Sequence, residues 1–201
     1  ASNDMLLRLL AANPGDAEMV KKVIEALAGA GDLERAKEYV VKAVADNPGD
    51  IGLVGLQYKI LTAMKEYKAA IRTGEEMVQM DTSLATVDFF TRQVALCAAD
   101  SQPQKAAETA ARATQKFAND ADLWQLYAAT LKAAGQLQQS IGAAKRALEI
   151  NPKIANGWTQ IAVAYDQLNM PDSALVALRQ AKAAGDNAEH CQTDMGPANP
   201  L

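Results

Sequence analysis

The feature that most limits what this 201-residue chain can fold into is an internal period of thirty-four residues. Asn13-Pro14-Gly15-Asp16 recurs as Asn47-Pro48-Gly49-Asp50, and Trp124 and Trp158 are separated by the same interval. Asn151-Pro152 precedes Trp158 by the distance that separates Pro14 from Val20. A period of this size marks an array of stacked units, none of which can bury its apolar face alone.

Within each period the pattern is helical. Val20, Val23, Ile24 and Leu27 repeat at the spacing of one helix face, as do Val40, Ala43 and Val44. Gly31-Asp32 joins a residue that tolerates positive φ to a helix-capping carboxylate, and Gly135-Gln136 holds the matching place. Ser101 is expected to cap a helix whose early Pro103 needs no N–H partner, and Pro171 opens another helix for the same reason. These signals predict helix pairs over 17–46, 50–80, 84–116, 121–150 and 155–184, preceded by a lone helix near 3–12. That makes eleven helices and no strand.

Aligning the periods exposes repeated slots. A bulky slot reads Val20, Val54, Phe90, Trp124 and Trp158. A first small slot reads Ala36, Ala70, Ala106, Ser140 and Ala174; a second reads Ala43, Met77, Ala113, Ala147 and Ala181. Proline ends the unit at Pro14, Pro48 and Pro152, with Thr82, Ala118 and Asp186 in that place elsewhere. One two-residue insertion, between Thr82 and Phe90, keeps every unit in register. As a set these positions resemble the tetratricopeptide repeat.

The resemblance implies an all-α, right-handed α-solenoid of helix–turn–helix repeats over 1–187, with a partial repeat at 1–14 and five repeats over 15–187. Residues 188–201 carry no apolar period and are expected to form a disordered tail. The second repeat departs from the family, with Gln57 and Tyr58 in place of Leu and a small residue, and with Gly52 and Gly55 lowering helix propensity. A looser or displaced helix is expected there. The missing first helix before Met5 and missing cap after Gly185 suggest a fragment of a longer protein, with apolar surface exposed at both ends of the array.

Composition removes several function classes. Net charge is −4 with both signs interspersed, so the basic stripe of a nucleic-acid binder is absent. No apolar run approaches the length that membrane insertion requires. Cys97 and Cys191 form no CxxC pair, and Cys97 falls on a core stripe where it reads as a small buried hydrophobe. The single histidine, His190, lies in the predicted tail, so neither a nucleophile–His pair nor a His-based metal site can be assembled. The chain is therefore read as non-catalytic, without cofactor or metal.

In the resembled family, first helices line a concave groove. Carried over by register, the residues facing it are Glu18, Lys21 and Glu25, then Gly52, Gly55, Lys59 and Thr62. The later repeats contribute Asp88, Thr91, Arg92, Ala95 and Ala98, then Asp122, Gln125, Ala129 and Lys132, then Asn156, Thr159, Val163 and Asp166. The strongest binding candidates are Lys59, Asp88, Thr91, Arg92, Ala95, Gln125, Ala129, Lys132, Asn156, Thr159 and Val163.

One subclass of the family clamps the carboxylate end of heat-shock chaperones. This sequence has Lys21 and Arg92 in that register, but Glu25 and Leu56 stand where two Asn are expected and Asp88 where a second cation belongs. Acidic and apolar groups there would repel or desolvate a carboxylate, so that mode is disfavoured. The leading expectation is a module that holds a peptide or a helix of a partner protein in the groove. The alternative is a structural segment that contacts partners, or itself, through its open ends.

Overall fold

The computed structural model describes residues 16–185, together with Met5 and Arg8. Ten α-helices and no strand occur among the described residues. They pair as α1 (Ala17–Gly29) with α2 (Leu33–Asp46), α3 (Ile51–Ala63) with α4 (Tyr67–Met80), α5 (Val87–Ala99) with α6 (Pro103–Lys116), α7 (Ala121–Ala133) with α8 (Leu137–Ile150), and α9 (Gly157–Gln167) with α10 (Pro171–Ala184). Met5 and Arg8 are helical; the rest of the helix expected near 3–12, and the tail with His190 and Cys191, lie outside the described residues.

Every first helix ends in the same way. Two reversed hydrogen bonds close each end, as when Gly31 N donates to Ala28 O at 3.0 Å and Asp32 N to Leu27 O at 2.9 Å. The same pair recurs at Lys65 and Glu66, Ser101 and Gln102, Gly135 and Gln136, and Asn169 and Met170. The first residue of each pair takes positive φ, between 56° and 81°. Carbonyls left over at the helix end are thereby satisfied, and the chain reverses in one tight step. Ser101 is therefore the left-handed turn residue and not a cap; the next helix follows Gln102, whose side chain makes no capping bond. Gln136, opposite Asp32 in register, likewise makes none.

The starts of the first helices are set by a recurring side-chain oxygen. Asp16, Asp50 and Asp120 accept hydrogen bonds from Met19 N, from Gly52 N and Leu53 N, and from Leu123 N, while Thr86 Oγ1 accepts from Phe89 N. The two inserted residues are spent on a 3₁₀ turn at Thr82–Leu84, capped by Asp81. Hence α5 begins at Val87 and not at 84. In the fifth repeat the capping slot holds Ile154, which is buried and has no oxygen to offer. Helix α9 consequently starts at Gly157, two residues later than the register predicts, after Asn156 in the left-handed conformation.

By internal packing the chain divides into two units, 1–89 and 90–201. In the first, Val23, Ile24, Leu27, Val40, Leu53 and Ile60 form the core among α1, α2 and α3. In the second, Leu131, Ile141, Leu148, Ile154 and Ile161 form it with buried alanines of α6 to α10. Cys97 is fully buried, as its place on the α5 stripe implies.

The small slots face inward throughout. Ala36, Ala70, Ala106, Ser140 and Ala174 are each at most 2% exposed. Ser140 Oγ donates to Ala128 O at 2.7 Å, so the one hydroxyl in these slots is satisfied across the hairpin. The second repeat, expected to be loose or displaced, keeps a thirteen-residue α3 with boundaries in register. Its large slot residue, Met77, is matched by Gly55: a Cβ on that glycine would lie 3.9 Å from the Met77 sulfur. Missing bulk on one helix receives extra bulk from the other.

Two glycine substitutions separate room from strain. A methyl group on Gly55 makes an ordinary contact and improves helix propensity, so Gly55→Ala is expected to stabilise the chain by about 0.5–1 kcal/mol. A Cβ on Gly157 would meet Leu148 Cδ2 at 2.8 Å and Ile154 Cγ2 at 3.0 Å. Gly157→Ala is therefore expected to destabilise by about 1–3 kcal/mol. Urea denaturation of both variants checks the pair; a destabilised Gly55→Ala protein would contradict the matched packing.

Candidate binding face

The first-helix residues singled out by register all lie outside the core. Lys59, Asp88, Thr91, Arg92 and Ala95 are exposed, and Gln125, Ala129, Lys132, Thr159 and Val163 are half-buried. Their helices turn the opposite side inward: α5 buries Phe90, Val94 and Cys97, α7 buries Leu123, Ala128 and Leu131, and α9 buries Ile161, Ala162 and Ala164. The amphipathic division of each of these helices thus keeps its candidate residues off its buried side.

Within the second unit, α7 packs against α9; Gln125, Ala129 and Lys132 lie on the first of these helices and Thr159 and Val163 on the second. Ala129 and Val163 are small and apolar, and each is half-buried. Gln125 Nε2 donates to Ala155 O, fastening α7 to the segment that precedes α9. Buried Thr109 returns its hydroxyl to the carbonyl four residues back, at 2.8 Å. For Thr159 that carbonyl belongs to Ala155, which lies outside the shortened helix. Thr159 Oγ1 has no hydrogen-bond partner among the described residues.

Asn156 is placed differently from its register position. It precedes α9 with φ of 60° and is exposed at the helix entrance. Lys59 and Asp88 belong to the first unit, and Thr91, Arg92 and Ala95 sit on α5 where the second unit begins. Helix α5 is anchored by Phe90, whose ring meets Phe117 edge-on at 6.4 Å and lies under the Arg112 guanidinium at 5.9 Å.

In the first unit the lysine nearest the clamp register is committed elsewhere. Lys21 Nζ lies 2.9 Å from Asp50 and 3.3 Å from Glu18. Its hydrogen bond to Asp50 holds the ammonium above the ordinary lysine value, and the same bond holds the Asp50 carboxyl below the carboxylate range. A cation paired with two acids is poorly placed to receive a ligand carboxylate.

Against this geometry, comparison with solved structures decides the fold. The chain aligns with YrrB, described as a TPR protein with an unusual peptide-binding site, at a TM-score of 0.67 and 19% identity, covering 96% of this chain and 100% of that one. The fold is that of the tetratricopeptide repeat. A MamA structure aligns at 0.64 and 16% identity, covering 92% of this chain and 98% of that one. MamA from Desulfovibrio magneticus RS-1 aligns at 0.61 and 14%, over 90% and 99%. Neither a family model nor a curated protein sequence matches the chain. No helix among its described residues is long and apolar enough to cross a membrane.

The Lys21–Asp50 bond gives the tetratricopeptide fold a defined pH response. Because the folded Asp50 pKa is depressed, its contribution is fully present above the unfolded value of about 3.9 and drains away as pH falls through the folded value. The raised Lys21 pKa acts oppositely: its contribution is present below about pH 10.4 and is lost at higher pH. Stability measured by urea titration from pH 7 to pH 2 is expected to fall less steeply in Asp50→Asn, which retains a capping oxygen. Equal acid slopes in the two proteins would show that the ion pair is energetically silent.

Proposed function

We propose that this chain is a non-catalytic protein-interaction module that holds an extended peptide or a helix against the first-helix face of its repeats. The observation that carries the reading is the presence of small residues on the first helices away from their buried sides: Ala95 is exposed, and Ala129 and Val163 are half-buried. None of them belongs to the cores, and their small size lets a ligand backbone approach closely. Charged groups at the margins, Arg92 and Lys132 among them, would orient a partner more than they would hold it.

Two further observations support the reading. A protein of the same fold, YrrB, is described as having a peptide-binding site. Among the described residues, the lysine and aspartate groups held away from their ordinary pKa values, Lys21, Asp32, Lys37, Asp50 and Asp81, are engaged in surface ion pairs or helix caps.

The test adds bulk without touching the core. Ala129→Trp and Ala95→Trp are expected to abolish or weaken capture of a peptide partner by at least tenfold, with melting unchanged. Lys132→Ala should instead slow association and reduce its salt dependence. A peptide selected from a random library on the intact chain supplies the partner. Full retention of that peptide by both tryptophan variants would place binding elsewhere and overturn the proposal.

A further inference from the structure

The last second helix, α10, differs from its four counterparts in a way the end of the array does not explain. Leu175 is 52% exposed and Val176 57%. Leu175 has a simple account. Its counterpart Ile141 is 4% exposed, covered in a cluster that includes Ile161 and Ala162 of the following first helix, and no first helix follows α10 among the described residues. Val176 has no such account. Its counterparts are Glu38, Arg72, Glu108 and Gly142, all exposed, so this slot faces solvent even where another repeat follows. Charge or absence of side chain is the rule there. A valine breaks it.

Helical geometry puts the anomaly on a defined stripe. At 3.6 residues per turn, Asp172, Leu175, Val176, Arg179 and Ala183 fall within an arc of roughly 100°. All five are exposed, and the opposite side of α10 buries Ala174, Ala177 and Ala181. Neither Asp172 nor Arg179 has an ion-pair partner among the described residues.

The order of these residues is self-complementary. Asp172 and Arg179 are equidistant from the midpoint between Leu175 and Val176. If two copies of α10 lie antiparallel across a two-fold axis at that midpoint, Leu175 and Val176 of each copy meet those of the other. Asp172 of each copy then stands opposite Arg179 of its mate, and both charge pairs form at once. A two-fold interface demands this property: one surface must serve as its own partner.

We propose that two copies of this chain pair through α10, antiparallel, with Leu175 and Val176 at the centre and reciprocal Asp172–Arg179 ion pairs at the edges. The contact uses one face of a helix about 21 Å long, at the small end of specific interfaces, so the pairing is reversible and concentration-dependent. It uses no residue of α7 or α9, and it does not depend on those helices binding a peptide.

Sedimentation of the full chain from roughly 1 μM to 1 mM tests the pairing. The expected result is a monomer–dimer equilibrium that weakens with added salt. Val176→Glu, which installs the residue type of the first and third repeats, should weaken dimerisation at least tenfold with melting unchanged. Arg179→Asp and Asp172→Arg should each be monomeric, because every edge then faces like charge. Mixed in equal amounts, these two variants should pair with each other, since all edge contacts between them are of opposite sign. Ala129→Trp should leave the equilibrium unchanged. A wild-type chain that stays monomeric throughout would assign the stripe to residues 186–201 or to a different protein, and would overturn the proposal. So would a dimer indifferent to Val176→Glu, or charge variants that fail to pair on mixing.

Discussion

The structure depends on how closely the second helix of each hairpin approaches the first. That approach is set by one residue per repeat, Ala36, Ala70, Ala106, Ser140 or Ala174, each almost wholly enclosed. A side chain no larger than Ala or Ser lets the helices come together, and the bulky aliphatic groups then close around the contact. Within each of the two units, neighbouring hairpins share a core, so local hairpin geometry becomes the geometry of stacking there. Ser140 shows how little latitude exists: its additional oxygen is accommodated only because it reaches the carbonyl of Ala128.

That constraint explains what could be read directly from the chain. A slot that must be small leaves a trace in the letters, so the register, the helix pairs and the buried place of Cys97 were all legible. Boundaries set by hydrogen bonds were less so. The late start of α9 follows from Ile154 occupying a capping slot, which is visible in the alignment only once the slot is known to be a cap. Serine suits both a cap and a left-handed turn, and the position of Ser101 in the turn series decides for the turn. Met77 and Gly55 look like two separate defects in the letters, yet they fit each other in space.

The candidate face was legible only as register. Solvent-facing positions are under no packing constraint, so their letters drift, and only the buried rows between them show which way they point. Side-chain commitments were invisible: Lys21 is taken by Asp50 and Glu18, and Gln125 is fastened to the Ala155 carbonyl. The α10 stripe left a clearer mark, since Val176 stands where other repeats carry Glu38, Arg72, Glu108 or Gly142. A departure in an exposed slot is more informative than agreement in it.

The five left-handed turns carry a wider consequence. Only Gly31 and Gly135 are glycine; Lys65, Ser101 and Asn169 adopt the same conformation against the preference of a side chain bearing Cβ. The two reversed hydrogen bonds at each helix end hold them there. What has been copied along this chain is therefore a backbone conformation, not a residue. Repeats whose letters have diverged beyond recognition could still be counted by their turns, and mutational drift at such a site is bounded by the hydrogen bonds around it and not by the identity of the side chain.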